Sequence, residues 1–288
     1  MPALSTFYGF GNSLAVVTRS ERQWQNPLIE GVVPMALHLS TPHVVVPAWP
    51  PSLPATAFST GYGHGATQPD VSLKQAAHTI SRDLDAFGTY RPVFARQVHG
   101  ARILDVDLAP PDEIADEYDT YHDCDGLCTK QDRAALIVRS ADCVPVVLAA
   151  EDGSWGAALH AGWRGTLKNI SARAVEVAAA GDVLPTALHA WIGPRIGGDV
   201  YEVSPDLAER FREAYGHLGA FIQGRLLDVG ELNRLQLLDA GLHPEKIGLA
   251  PDCTFSNPTK FPSYRRDGGC QGQIHTVMVL RTGKPTGV

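Results

Sequence analysis

The chain has 288 residues and a formal net charge of −7, with 44% apolar and 19% charged residues. That is enough apolar mass for one large domain, and the acidic balance speaks against a nucleic-acid binder, which presents a basic face. No apolar run reaches the roughly 18 residues of a membrane span, so neither nucleic acid nor membrane is expected as a partner.

The first twenty residues lack the basic start and continuous apolar core of a signal peptide. Five cysteines, an odd and sparse set, suit a reducing compartment, so the expected location is cytoplasmic. Residues 1–43 show weak periodicity and read as an N-terminal extension. Residues 44–288 read as a single α+β domain of mixed β-sheets with flanking helices.

In chain order, "VVVP" from Val44 predicts a short strand that runs through prolines and glycines into a loop. Asp70 and Ser72 can cap a helix on which Leu73, Ala76, Ala77, Ile80 and Leu84 recur at helical spacing. "RPVFARQVHGARILDV" holds two apolar runs broken at His99-Gly100, which predicts a hairpin or sharp kink. Residues 123–165 hold at least three strands, with Asp152-Gly153 as a hairpin turn. A helix is expected over about 166–180, ending at Gly181. "ALHAWIG" predicts a strand, Ser204-Pro205 and Asp228 predict helix starts, and "KIGLA" and "IHTVMVL" predict closing strands. Irregular alternation of hairpins and helices favours α+β over a doubly wound parallel sheet.

The chemistry concentrates around "HAGWRG", His160 to Gly165. With Asp152-Gly153 at the centre of a two-residue hairpin, Cys143 faces Gly162 and Pro145 faces His160. Strand side chains alternate, so Cys143 and His160 share a face as diagonal neighbours, about 7–8 Å apart at Cα. Pro145 is a sign of irregular pairing there. A thiol and an imidazole so placed suit either a thiolate nucleophile or a metal site, for which a catalytic zinc needs a third ligand and an open position. Each residue alone also reads as an ordinary core cysteine or hydrogen-bonded histidine. His99, at the tip of "RQVHG", is a candidate third ligand, although position alone does not single it out among the eleven histidines.

Gly162 and Gly165 flank Trp163 and Arg164 at a helix start, an arrangement suited to an anion, with Arg164 as a fork for phosphate or carboxylate. Trp163 either stacks on a planar ring or plugs the core. Cys124 and Cys128 in "CDGLC" have half the spacing of a structural zinc site, without a second half, and read as buried strand cysteines.

"QVHG" (97–100), "ADC" (141–143), "HAGWRG" (160–165), "IGPRIG" (192–197), "YEV" (201–203), "CT" (253–254) and "FPSYRRD" (261–267) occur in this order. Together they resemble the laccase-domain family, over about Val44 to Leu280. Its members have been called multicopper polyphenol oxidases and also purine nucleoside phosphorylases with adenosine deaminase activity.

The resemblance implies a fold distantly shared with the cysteine-deamidase domain of the cytotoxic necrotizing factor toxins. It also implies a zinc held by His99, Cys143 and His160. The expected function is then zinc-dependent phosphorolysis of adenosine, inosine or methylthioadenosine, with adenosine deamination as a second activity, so the partners are a purine nucleoside and phosphate. Catalytic roles fall to Cys143, His160, His99 and Asp142, the last as a supporting or proton-transfer group or else as a capping residue. Substrate-binding roles fall to Gln97, Gly162, Trp163, Arg164, Gly165, Glu202, Arg265 and Arg266. For Glu202 and the two arginines the alternative is a surface salt-bridge network.

Several family features are missing. The region "FSTGYGHGATQPDVSLKQAAH" lacks the usual arginine and "SLNLG" and "HVGD" segments, and "GGCQGQ" replaces "TGR" after "RRD". A four-copper laccase needs His-x-His pairs, and the eleven histidines here form none, although Cu²⁺ generally outbinds Zn²⁺ at a Cys/His₂ site. The alternatives are a cysteine hydrolase or amidase using Cys143-His160, a copper polyphenol oxidase-like activity, and a non-catalytic metal- or ligand-binding module.

Overall fold

A computed structural model describes residues 44–68, 70–84, 90–109, 120–121 and 123–281. The extension expected over 1–43 and the last seven residues lie outside them.

In chain order the elements begin with β1 (Val44–Val45), β2 (Ala55–Thr60), α1 (Leu73–Leu84), β3 (Arg91–Ala95), β4 (Ile103–Asp105), β5 (Thr120–Tyr121) and β6 (Gly126–Thr129). There follow β7 (Ala134–Ser140), β8 (Val144–Ala150), β9 (Gly156–Ala161), α2 (Trp163–Leu167), α3 (Ile170–Ala180) and β10 (Leu188–Ile192). The last are α4 (Pro205–Tyr215), β11 (Ile222–Gln223), β12 (Leu226–Leu227), α5 (Val229–Asp239), β13 (Ile247–Leu249), α6 (Tyr264–Asp267) and β14 (Ile274–Leu280).

Two mixed sheets carry the fold, in the orders β1-β2-β14-β7-β3-β5 and β13-β10-β8-β9-β6-β4. Alternation along the strands explains how they stack. Leu136 and Val138 of β7 meet Val147 and Ala149 of β8 and Ala158 of β9 in the layer between the sheets. Ala135 and Ile137 point the other way, onto Ala76, Ala77, Ile80 and Leu84 of α1. On the second sheet Val144, Val146, Leu148, Ala157 and Leu159 face α3 and α5, through Ile170, Ala174, Ala178, Leu232 and Leu237. Fully burying such aliphatic side chains stabilises by about 1.5–3 kcal/mol each. This is the α+β arrangement with flanking helices that the sequence predicts.

Helix starts follow the sequence. Ser72 and Gln75 form a reciprocal capping box, and Ser204 and Asp228 accept from Leu207 and Glu231 backbone N–H groups.

Other expectations fail for physical reasons. Ala55–Thr60, read as loop, is a wholly buried strand between β1 and β14. Its small and hydroxylic residues carry no period, and its burial comes from its place in the sheet. The two runs around His99 form no hairpin, because β3 pairs with β7 while β4 pairs with β6 in the other sheet. The sharp turn is real, with His99 at φ 58°. The helix expected over 166–180 is two, divided where Asn169 adopts a left-handed φ of 61°. Gly181 caps the second, but the left-handed residue there is Asp182.

Candidate metal centre

The β8–β9 hairpin has the predicted register, Val144 opposite Ala161 and Pro145 opposite His160. The ladder passes through Pro145 without a bulge, and its carbonyl accepts from the Gly193 N–H at 2.9 Å. The turn is a four-residue loop, Glu151 to Ser154, with only Gly153 at positive φ. It is centred on the expected residues, so the register is the same. His160 therefore shares the face of Ala158, and Cys143 stands just before β8 on that side. The β3–β4 crossover brings His99 over both. The Nδ1/Nε2 and Sγ atoms of His99, Cys143 and His160 all lie within 4.8 Å of one another. The two imidazoles meet edge to face, 4.9 Å between centroids.

A residue that sequence reasoning missed organises this trio. Asp125 is fully buried. Its Oδ1 meets His160 Nδ1 at 2.8 Å and accepts the His99 backbone N–H at 2.9 Å. Its Oδ2 accepts the N–H groups of Val98 and Gly100 at 3.1 and 2.6 Å. The left-handed turn at His99 lets three successive N–H groups converge on one carboxylate, a backbone nest. Burial alone would raise the Asp125 pKa, but the His160 and backbone hydrogen bonds bring it below the usual carboxylate range. One carboxylate thus fixes the His160 ring and the loop that carries His99. In "CDGLC" the cysteines drew the sequence reading, and nothing in the spacing marked the aspartate between them.

The electrostatics of the trio follow. Burial opposes a Cys143 thiolate, but the His160 charge and hydrogen bonds from both histidines outweigh it and bring the thiol down to about 6. His160 rises to about 9 against its own burial, through the Cys143 thiolate and Asp125. Without metal the pair is a thiolate and an imidazolium. Cys128, by contrast, is pushed up to about 12, chiefly by burial, and both it and Cys124 are core residues.

The glycines of "HAGWRG" have separate tasks. A Cβ on Gly162 would stand 3.1 Å from Cys143 Sγ, 3.2 Å from His99 Cδ2 and 3.6 Å from His160 Cε1, so its hydrogen keeps the ligand space open. A Cβ on Gly165 would stand 2.6 Å from the Gly100 carbonyl, so this glycine serves close packing of α2 on the His99 loop. The helix starts at Trp163 and is five residues long. Arg164 is exposed, its guanidinium 4.4 Å from the Trp163 ring centroid.

Asp142 braces the opposite wall. At φ 92° it turns the chain into Cys143. Its carboxylate accepts from Thr254 Oγ1 at 2.6 Å and the Arg265 N–H at 2.7 Å, and its carbonyl accepts from Ile196 at 3.0 Å. "ADC", "IGPRIG", "CT" and "SYRRD" therefore meet at one residue. Both carboxylate oxygens are engaged, which favours the capping alternative over proton transfer.

Gln97 uses both ends of its amide on the Arg139 backbone, at 2.7 and 2.8 Å, which fixes its side chain. Arg266 spends its guanidinium on Asp267 and on the carbonyls of Thr254, Phe255 and Phe261. Glu202 pairs with Arg225. These last two side chains are thus both held in ion pairs.

A polar cavity of about 500 Å³ lies behind the Asp142 brace, lined by Arg195, Asp228, Cys253, Ser256 and Asn257 among others. None of the trio lines it. The donor set, the glycine beneath it and the carboxylate behind His160 decide for the trio. They fit a metal with a taste for sulfur and imidazole nitrogen.

The model of the family described as "Multi-copper polyphenol oxidoreductase laccase" matches residues 61–281. The chain belongs to this family. Within the laccase family, a protein of Xylella fastidiosa named "Purine nucleoside phosphorylase" is 40% identical over 181 residues, 61% of this chain and 67% of its own. "Purine nucleoside phosphorylase YlmD" of Bacillus subtilis is 33% identical over 243 residues, 78% of this chain and 87% of its own. The crystal structure of YlmD from Geobacillus stearothermophilus superposes with a TM-score of 0.69 at 29% identity, covering 81% of this chain and 94% of that one. Among the described residues no helix is long and apolar enough to cross a membrane.

Proposed function

We propose that this protein cleaves purine nucleosides by phosphorolysis at a zinc centre made by His99, Cys143 and His160, with adenosine deamination as a second activity. One observation carries the reading: a Cys/His₂ cluster backed by a buried carboxylate, in a chain 33–40% identical to proteins named purine nucleoside phosphorylase.

Zinc, when bound, supplies Lewis acidity towards a substrate oxygen or a water. The chain's residues do the rest. Asp125 takes the hydrogen bond of His160 Nδ1 and so turns Nε2 towards the cluster. Gly162 leaves the space in front of the ligands free, and His99, exposed, leaves that space open to solvent and substrate. Arg164 offers a guanidinium for the phosphate.

The test is zinc content together with base release from adenosine, inosine and methylthioadenosine, with and without phosphate. Stoichiometric zinc and phosphate-dependent release are expected. A zinc-loaded protein that leaves every purine nucleoside untouched overturns the proposal.

A second reading is favoured by Asp125 itself. Cys143, His160 and Asp125 stand in the order of nucleophile, base and orienting carboxylate, which suits a thiol hydrolase or amidase. Chelation separates the two, because it abolishes a zinc activity and spares or raises a thiol one. Among the described residues the trio is the one His/Cys/Asp/Glu cluster of this kind, which gives a four-copper oxidase no second centre.

A further inference from the structure

The polar cavity behind the Asp142 brace holds two opposite charges that no neighbouring side chain answers. Of the three carboxylates in its lining, Asp228 caps α5 through the Glu231 N–H at 2.8 Å and Asp252 meets Lys260 Nζ at 2.8 Å. The third, on Asp199, is exposed and has no partner among the described residues. Arg195 is the one cation among the described lining residues. Its Nη1 donates to the carbonyls of Gly193 and Ala250 at 3.3 and 3.0 Å, and its Nε is buried without a partner. Nη2, neither bonded nor sealed, is the edge left to the cavity. No carboxylate pairs with this half-buried guanidinium, and a charge out of water is costly until a counter-charge completes it.

The backbone explains why Arg195 and Asp199 line one cavity and yet do not meet. Arg195 is tied to its two carbonyls and lies against the first turn of α5. A Cβ on Gly230 would stand 2.7 Å from its Cζ and collide with its Nε. Asp199 folds back on its own loop, with Oδ1 2.5 Å from where a Cβ of Gly197 would stand. The place of Arg195 sharpens its need for an anion. The amino end of a helix carries partial positive charge, so a guanidinium at the start of the eleven-residue α5 is poorly placed until an anion joins it.

The rest of the lining selects among ligands. Ser256 and Asn257 offer hydrogen bonds to either end of a polar molecule, and no aromatic ring among the described lining residues provides a face for a base. A phosphate dianion would meet three carboxylates for one guanidinium.

We infer that this cavity binds a small zwitterion of the amino-acid class, its carboxylate on Arg195 and its ammonium on Asp199. About 500 Å³ is room enough for a free amino acid or a dipeptide. The inference does not depend on the proposed phosphorolysis, because none of the metal trio lines the cavity.

The experiment titrates glycine, L-glutamine and glycylglycine into the zinc-loaded full chain by calorimetry, beside acetate, methylammonium and inorganic phosphate. It compares the parent with Arg195→Gln, Asp199→Asn, Asp199→Lys and, as a charge control, Glu213→Gln, exposed on α4. At least one zwitterion should bind, with acetate and methylammonium weaker by about tenfold or more. Loss of a charged hydrogen bond weakens binding about tenfold or more, so Arg195→Gln and Asp199→Asn should each raise the Kd by that factor. Asp199→Lys should abolish binding and Glu213→Gln should leave it unchanged. Because Asp199 is exposed, its variants should keep the parent's circular dichroism spectrum, and they carry the test if Arg195→Gln unfolds. Cys143→Ala, which removes a ligand of the trio, should bind the zwitterion as the parent does.

A parent chain that binds none of the zwitterions at millimolar concentration overturns the inference. So does binding untouched by Asp199→Asn, or acetate or phosphate held as tightly as the zwitterion. Binding of glycylglycine alone supports the site and sets its span as that of a dipeptide. Zwitterion binding without base release from any nucleoside leaves this site standing and overturns the phosphorolysis.

Discussion

The two walls of the candidate metal centre are each organised by one carboxylate, and the carboxylates work differently. Asp125 reaches the ligands directly, through the His160 ring and the backbone of the His99 loop. Asp142 reaches none of the ligand side chains; it gathers Ile196, Thr254 and Arg265 behind Cys143. The first wall sets the electronic state and aim of the ligands. The second holds up the rim. Two acidic residues of similar burial thus have different failures, one of chemistry and one of architecture.

Removing a ligand should break both walls' purpose at once. Cys143→Ala is expected to abolish stoichiometric metal and phosphorolytic turnover while leaving the circular dichroism spectrum and unfolding transition close to the parent, read by metal analysis and a base-release assay. Next in size, Asp125→Asn should lower metal affinity about 10–100-fold, the usual effect of losing a partner behind a ligating histidine. Asp125→Ala should in addition cost about 3 kcal/mol of stability by orphaning three N–H groups. Asp142→Ala should show the reverse pattern, a loss of about 1–3 kcal/mol in denaturant unfolding with metal affinity nearly retained. Equal losses of metal in the Asp125 and Asp142 variants would erase the distinction.

Smaller effects sharpen it. Gly162→Ala pushes a methyl against all three ligands and should weaken metal binding about tenfold, while unfolding moves by less than about 1 kcal/mol. In metal-free protein, alkylation of Cys143 should follow thiolate formation with a midpoint near 6. Asp125→Asn should move that midpoint up, because His160 is less basic without the carboxylate, and Asp142→Asn should leave it in place. The sign for stability is fixed too. A lowered thiol pKa contributes stability that is complete above the unfolded value near 9 and lost as pH falls through 6. The raised His160 pKa contributes stability that is complete below 6.5 and lost as pH rises through 9. The two contributions run in opposite directions across the same window and nearly cancel, so this pair should leave the melting temperature of metal-free protein almost independent of pH.

Much of the site was legible in the sequence because it lies on a regular hairpin. The Asp152-Gly153 centre and two unbroken apolar strands place Cys143 beside His160 by period-two counting alone. His99 needed its motif, since a crossover between two sheets has no period to count. Asp125 was illegible because its partners are backbone N–H groups 25–27 residues away, a bond that leaves no mark on neighbouring residue types. Glu202 and Arg266 carried two readings in the sequence, substrate contact or salt-bridge network, and the ion partners Arg225 and Asp267 became legible only in the structure. The buried strand Ala55–Thr60 escaped for a further reason, as its burial depends on strands paired from the far end of the chain.

The unequal exposure of the three ligands has a kinetic side. His160 is closed off at 3% exposure, and Gly162, itself buried, seals the floor, while His99 stands open to solvent. An incoming ion, or a chelator removing one, must pass His99 first. For a metal held at this candidate site, the bonds that tie the 97–100 loop to Asp125 are expected to slow exchange, to be read as faster loss to a chelator in Asp125→Asn.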